Sequence, residues 1–153
     1  MKVDAKWVEG MAFDIETGTG HTLRIDARPE VGGQDTGPRA KELLLASLAG
    51  CTAMDVISIL KKMRQPVESF RIHTEAYDTE EHPKVFPYVD LVYEVNGEGL
   101  DPERVVRAVE LSQVRYCGVS AMLRPAVDIR VKILVNGQEQ PVPESILALK
   151  SGA

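Results

Sequence analysis

A long apolar segment between two prolines constrains this chain more than any other feature. The run Leu43–Leu60 carries almost no charge and lies between Pro38 and Pro66. Proline is tolerated in the first turn of a helix, but a helix that approaches one from the amino-terminal side usually ends before it. We therefore predict a helix over residues 38–64. Its middle is apolar on nearly every side, so it must be covered from several directions.

The predicted helix approaches membrane-spanning length, but polar residues interrupt it at Ser47, Thr52, Asp55 and Ser58. Such residues are costly inside a bilayer, so we expect a buried helix and no membrane partner. One chain of 153 residues has few elements with which to cover it. A second copy packed against this helix is the economical solution, and the sequence therefore predicts a homodimer.

The other predicted elements follow from the spacing of apolar residues. Alternation predicts a hairpin formed by "KWVEGMAFDI" and "TLRIDAR", and later strands over residues 67–78, 84–96 and 127–135. Asp101 and the proline after it begin a second helix that runs to Cys117. The order β-β-α-β-β-α-β predicts an α+β fold with helices against a mainly antiparallel sheet. We expect one domain, 1–153, with its core in residues 6–135 and a tail, 138–153, whose short helix docks or frays.

Charge and cysteine content exclude several classes of function. The net charge is −5 and the basic residues are scattered, which argues against a nucleic-acid partner. Two distant cysteines do not form a disulfide framework, and no secretory leader is visible, so we expect a cytoplasmic protein with reduced thiols. Neither cysteine has a histidine or cysteine at ligand spacing, so we expect no metal site and no bound cofactor.

The two cysteines have different settings. Cys51 lies in the middle of the apolar helix, where a free cysteine most often serves as a small hydrophobic residue. Cys117 lies near the end of the second helix, two residues after Arg115, and a nearby cation can lower a thiol pKa. From the residues alone, both packing and reactivity remain open for Cys51.

Two segments resemble a known family. "GPRAKELLLASLAGCTAMDVISIL" and "RAVELSQVRYCGVSAML" are similar to the OsmC/Ohr family of thiol-dependent hydroperoxide reductases, and "KWVEGMAF" resembles its YhfA-like branch. The resemblance implies the OsmC-like fold with a long central helix. It also implies an intertwined homodimer with two active sites at the subunit interface, each pairing a reactive Cys51 with Cys117.

The resemblance implies a peroxidase chemistry for this pair. Cys51 would attack the O–O bond of an organic hydroperoxide and become a sulfenic acid, and Cys117 would condense with it to a disulfide. An external dithiol, such as a lipoyl group, would regenerate the thiols. No metal or bound organic cofactor is required.

The chain departs from the family pattern around the nucleophile. Peroxide-reducing relatives use an arginine from the first hairpin turn, held by a glutamate early in the long helix. Here His21 and Lys41 fall at those positions, although Glu42 could act through another group. His21 is either a solvated turn residue or a partner of Cys51.

Asp55 is the second departure. It lies one turn after Cys51, where an ionised carboxylate would disfavour a thiolate. A buried carboxylate needs a partner. The candidate cations are Arg28, Arg39, Arg115 and Arg124.

These departures keep two other functions open. The first is a non-catalytic dimer that binds a small apolar ligand in the interface pocket, with the cysteines as lining. The second is a redox sensor whose disulfide changes the dimer surface. The enzyme interpretation rests on the pairing of Cys51 with Cys117.

Overall fold

The computed structural model describes residues 1–149, and the chain divides into two compact units, Met1–Leu45 and Ala46–Ala153. The first unit is a three-stranded sheet and the loop that follows it. The second contains a four-stranded sheet and most of the helical residues. The α+β class predicted from the sequence is confirmed, whereas the single domain stays a prediction.

The first sheet has one strand more than predicted. Strands β1 (Val3–Glu9), β2 (Ala12–Thr17) and β3 (Thr22–Ile25) pair antiparallel in the order β1-β2-β3. The single strand predicted through "KWVEGMAFDI" was wrong, because the chain reverses at Gly10, whose φ is 49°. The Trp7 indole N–H donates to the Gly10 carbonyl at 3.0 Å and closes the turn. Alternation continues across this short turn, so the pattern alone does not reveal it.

Asp26 organises the loop after β3, which contains a 3-10 turn at Pro29–Val31. Its side chain is buried and accepts hydrogen bonds from three backbone N–H groups, those of Ala27, Gln34 and Thr36, and from the Thr36 hydroxyl. The loop approaches itself closely: a Cβ on Gly33 would stand 1.9 Å from the Ala27 carbonyl oxygen. The Asp26 carboxylate therefore replaces regular secondary structure as the organiser of this segment.

The loop is expected to make stability depend on pH through Asp26. The backbone N–H of Thr36, followed by that of Gln34, lowers the pKa of the Asp26 carboxyl to about 2, against desolvation that raises it. Because the pKa is lower in the folded state, the ionised carboxylate stabilises the fold at pH values above the unfolded pKa of 3.8. This stabilisation is lost as the pH falls toward 2. Between pH 5 and about 2, the melting temperature of Asp26→Asn should therefore fall less than that of the wild type. The matched control is Asp4→Asn, on an exposed side chain; equal slopes in Asp26→Asn and wild type would contradict the assignment.

The second sheet has the order β4-β5-β6-β7, with strands Ser69–Glu75, Tyr88–Asn96, Asp128–Val135 and Gln138–Gln140. Strands β5 and β6 are parallel, and the other neighbours are antiparallel. The predicted apolar face of β5 is confirmed for its four buried residues, Val89, Leu91, Tyr93 and Val95. Val85, predicted on the same face, lies before the strand and is exposed.

The second predicted helix is divided into two pieces, and a short helix that was not predicted follows it. Helix α2 spans Pro102–Leu111, a π-helical turn spans Ser112–Tyr116, and α3 spans Gly118–Leu123. The predicted cap is confirmed, since the Asp101 carboxylate accepts from the backbone N–H groups of Glu103 and Arg104. The continuous helix to Cys117 was wrong in its last turn. π-Helical turns are rare in proteins, and those that occur are often found at functional sites. This one immediately precedes Cys117.

The tail docks on the second unit. Asn136 and Gly137, both at positive φ, turn β6 into β7, a strand that the sequence reading did not predict. The predicted short helix, α4, spans Glu144–Leu147 and buries Ile146. The last four residues of the predicted tail, 150–153, lie outside the described residues.

Helix α1 spans Ala40–Lys62, close to its predicted bounds. Its buried residues form one stripe at helical spacing, Leu48, Thr52, Val56 and Leu60. Length and apolar composition alone would also allow this helix to cross a membrane, and 22% of its most apolar window is buried by the described chain. Core helices of soluble proteins have the same length and composition, so this finding by itself does not distinguish a core helix from a membrane-spanning one.

Candidate thiol site

The structure brings Cys51 and Cys117 together in the second unit. Cys51 is on α1, and Cys117 lies between the π-helical turn and α3. Both are free thiols, and they interact electrostatically with each other. Asp55, one helical turn after Cys51, completes a cluster in which both sulfurs and a carboxylate oxygen lie within 4.8 Å of one another. Two thiols at this separation can form a disulfide after modest side-chain rotation.

The two thiols differ in access. Cys51 is half-buried, whereas Cys117 is 3% exposed. The Ser120 hydroxyl and backbone N–H donate to the Cys117 sulfur at 3.1 and 3.4 Å. Burial raises the pKa of the Cys117 thiol above its ordinary value, and the two Ser120 donors oppose that rise. Cys117 is therefore the more buried thiol, held in position by Ser120, while Cys51 is the more exposed of the two.

A buried hydrogen-bond network lies beside the thiols. The Arg124 guanidinium donates to the Gln113 side-chain oxygen at 2.6 Å, which orients the amide so that its NH₂ group faces Tyr93 and Thr52. That NH₂ group donates to the Tyr93 hydroxyl at 2.7 Å. Desolvation raises the pKa of Tyr93, so the phenol keeps its proton and donates to Thr52 at 2.7 Å.

The network ends on Asp55. The Thr52 hydroxyl accepts from two donors, so its own hydrogen is directed to Ser112 at 2.8 Å. Ser112 then donates to the Asp55 carboxylate at 3.1 Å. Every hydroxyl hydrogen thus points from the Arg124 cation toward the Asp55 carboxylate. The part-buried Asp55 carboxylate is linked to Arg124 through four intervening side chains, and none of the described arginines of the second unit bonds to it directly.

An open groove of about 380 Å³ adjoins the cluster and shares Asp55 with it. Apolar side chains line most of its wall: Ile59, Met63, Leu111 and Tyr116. Lys62 lies on the same wall. Neither cysteine lines the groove, which meets the thiol cluster at Asp55. Its shape and lining suit a small molecule with an apolar body.

The other candidate site residues have separate surroundings. Arg115 is exposed, with its guanidinium 5.5 Å from the centre of the Tyr116 ring. His21 is exposed in the β2–β3 turn, where its carbonyl accepts from the Thr17 backbone. Arg39 forms a salt bridge with Asp35, and its backbone N–H donates to the Glu42 carboxylate at 2.8 Å. In the first unit, Arg39 and Glu42 thus cap the start of α1, and His21 helps to close the β2–β3 turn.

The sequence reading missed Tyr93, Ser112 and Gln113. Tyr93 fits the apolar alternation of β5, and that pattern gives no sign of a role for its hydroxyl. Gln113 is 4% exposed, and Ser112 is fully buried. A helical projection of "RAVELSQVRYC" places these two polar residues on the buried side of α2 and its extension, and that conflict was the available signal.

Together, the fold and the site define an α+β protein with a reduced, closely spaced thiol pair beside an apolar groove. The chain belongs to the family described as OsmC-like protein, whose profile matches residues 33–132. The family resemblance read from the sequence, and its YhfA-like branch, are therefore confirmed.

Individual relatives agree with this assignment. Protein YhfA of Escherichia coli strain K12 is 38% identical over 129 residues, which cover 84% of this chain and 93% of that protein. The solved structure of a hypothetical protein from Aquifex aeolicus VF5 has a TM-score of 0.77 at 29% identity, covering 88% of this chain and 94% of that one. An organic hydroperoxide resistance protein OsmC from Legionella pneumophila has a TM-score of 0.65 at 20% identity, covering 88% and 98%. The last likeness shows the shared fold.

Proposed function

We propose that this protein reduces organic hydroperoxides with Cys51 as nucleophile and Cys117 as resolving thiol. The observation that carries the proposal is the pair of free thiols, whose sulfurs lie within 4.8 Å of each other next to an apolar groove. Structural relatives named organic hydroperoxide resistance proteins, from Legionella pneumophila and Vibrio cholerae, support the substrate class.

The cycle has three balanced steps. The Cys51 thiolate attacks the terminal oxygen of ROOH, the O–O bond breaks, and the alkoxide leaves as ROH after taking a proton. The Cys51 sulfenic acid then condenses with the Cys117 thiol to a disulfide and water. A dithiol of the lipoyl type reduces the disulfide through a mixed disulfide and is itself oxidised. The half-buried position of Cys51 and the buried, Ser120-bound position of Cys117 support this division of roles.

The network ending on Asp55 supports a role in positioning the pair. An arginine and a carboxylate are both present beside the thiols, but they are joined through Gln113, Tyr93, Thr52 and Ser112. In this proposal the chain replaces the family's direct arginine–glutamate contact with a hydrogen-bonded relay. His21, Arg39, Glu42 and Arg115 remain supporting candidates.

The reaction of the reduced protein with a hydroperoxide tests the proposal. Addition of a slight excess of an alkyl hydroperoxide should remove both thiols and produce a Cys51–Cys117 disulfide. Thiol titration measures the loss of thiols, and peptide mass mapping identifies the disulfide. Hydrogen peroxide should react more slowly, because it cannot use the apolar groove. Thiols that persist in the presence of the alkyl hydroperoxide would overturn the proposal.

The active form is proposed to be a cytoplasmic homodimer with α1 at its interface. The exposed apolar surface of this helix includes Met54, at 69% exposure, and Leu44, at 38%. A monomer would leave these apolar side chains in water, and a second copy packed on the helix would cover them.

The substitution Met54→Asp is expected to convert the dimer to a monomer, because it places a charge in the desolvated centre of the interface. Sedimentation should give twice the 16.8 kDa chain mass for the wild type and the chain mass for the variant. Met122→Asp, on an equally exposed methionine of α3, is the matched control and should stay dimeric. A monomeric wild type would contradict the interface.

A second function is favoured by the position of Asp55. A carboxylate within 4.8 Å of both sulfurs opposes a negative charge there, which suits a binding protein better than a peroxidase. In that case the groove holds a small apolar ligand and the cysteines only line the site. Native mass spectrometry of the purified protein should then show a retained ligand, together with thiols that resist hydroperoxide. Rapid thiol oxidation would exclude this alternative.

A further inference from the structure

The cluster of Cys51, Asp55 and Cys117 has the composition of a metal site as well as of a redox pair. Two sulfurs and a carboxylate oxygen lie within 4.8 Å of one another. Ligand spacing along the chain did not predict this site, because only the fold brings Cys117 to the other two residues. We propose that the reduced protein binds one Zn²⁺ ion through these three side chains, with water from the groove as the fourth ligand.

The geometry permits the site after a small contraction. Zinc binds thiolate sulfur at about 2.3 Å and carboxylate oxygen at about 2.1 Å, so tetrahedral ligands stand roughly 3.5–3.8 Å apart. Cys51 and Asp55 occupy successive turns of α1 on the same face, the spacing at which two helix residues can share one metal. Cys117 approaches from a separate element, between the π-helical turn and α3. Three convergent ligands and one open position form the coordination typical of an exchangeable zinc site.

Neighbouring side chains orient two of the three ligands. Ser112 donates to one oxygen of the Asp55 carboxylate, which leaves the other oxygen available to the metal. The Ser120 hydroxyl and backbone N–H donate to the Cys117 sulfur. Donors of this kind hold ligand atoms in position and stabilise their anionic forms, and they contribute strongly to metal affinity.

The surrounding charge also fits. Two thiolates and a carboxylate around Zn²⁺ leave a net charge of −1. Arg124 is 7% exposed, its guanidinium interacts electrostatically with Cys117, and its Nε has no hydrogen-bond partner among the described residues. This buried cation has no salt bridge to a carboxylate within residues 46–149. An anionic metal complex beside it would supply the missing counter-charge.

Thiolate ligands select for zinc over magnesium and calcium, which prefer oxygen. The bound ion and the disulfide exclude each other, because zinc binds the two thiolates and formation of the S–S bond consumes both of them. Oxidation of the site by ROOH takes up two protons, forms the S–S bond, and releases Zn²⁺, ROH and water. This consequence rests on the proposed peroxidase function, while zinc binding by the reduced thiols does not.

Titration of the reduced protein with Zn²⁺ against a chromophoric chelator tests the site. We expect one ion per chain, and with Co²⁺ as a probe, a thiolate-to-metal charge-transfer band. Asp55→Asn should weaken zinc binding by at least about 10-fold, and Ser120→Ala by about 10-fold. Glu139→Gln, on an exposed carboxylate paired with Lys132, is the matched control and should leave affinity unchanged.

Three results would each overturn the site: no stoichiometric binding by the reduced wild type, equal affinity in Asp55→Asn, or equal binding by the double variant Cys51→Ser/Cys117→Ser. The disulfide form, prepared with a thiol oxidant, should not bind, and circular dichroism would show that it remains folded. Zinc binding is read without any hydroperoxide. Failure of the peroxidase proposal would therefore appear as thiols that survive peroxide, with the zinc titration unchanged.

Discussion

Replacement of Cys51 by serine is expected to abolish hydroperoxide consumption. The serine hydroxyl is a far weaker nucleophile than a thiolate and cannot form a sulfenic acid. The chain has two cysteines, so the double variant Cys51→Ser/Cys117→Ser defines the thiol-free background. Cys51→Ser should fall to that background in an assay that follows loss of an alkyl hydroperoxide with a dithiol as reductant.

Cys117→Ser provides the complementary result. It should retain the first reduction step and stop there, with a Cys51 sulfenic acid that a dimedone-type reagent traps and mass spectrometry detects. One equivalent of hydroperoxide should be consumed per chain, without turnover. Turnover in Cys51→Ser, or a sulfenic acid on Cys117, would reverse the proposed roles of the two thiols.

Arg124→Met is expected to lower the free energy of unfolding by about 2–4 kcal/mol, because it removes two charged hydrogen bonds in a buried setting. The guanidinium donates to the Gln113 side-chain oxygen at 2.6 Å and to the Leu149 carbonyl at 3.1 Å. Both acceptors would lose their donor, and the amide orientation that directs the network toward Asp55 would be lost. For a chain of this size the melting temperature should fall by roughly 4–16 °C.

The control is Arg130→Met, which removes an exposed arginine that pairs with Asp128 at 3.0 Å and lies over the Tyr88 ring. Surface pairs contribute little, so a loss below about 1 kcal/mol is expected. Chemical denaturation of both variants, with unchanged m-values, gives the comparison. Equal losses in the two variants would show that the buried network does not stabilise the fold.

Much of the fold follows from local patterns. The helix between the two prolines and the Asp101 cap were both predicted, because each depends on residues within a few positions of one another. The break at Gly10 was not, because alternation continues across it. The π-helical turn at Ser112–Tyr116 was not either, since no local pattern distinguishes it from the end of α2.

The candidate site divides along the same line. The family resemblance pointed to both cysteines, and helical spacing placed Asp55 beside Cys51. The partner of Asp55 could not be read from the chain, because the relay joins positions far apart: Thr52 reaches Tyr93 41 residues away and Ser112 60 residues away. Arg124 is one of four arginines that could pair with Asp55, and the sequence gives no reason to choose among them.

By itself, the sequence determined the class of fold, the long helix and the identity of the two thiols, since these depend on composition, short-range periodicity and family motifs. Tertiary structure alone decided that the thiols meet, that Asp55 lies against both sulfurs, and that Arg124 supports this carboxylate through four side chains. The physical reason is that hydrogen bonds require atoms within about 3 Å. That proximity arises only when α1, β5 and the segment around Cys117 pack together.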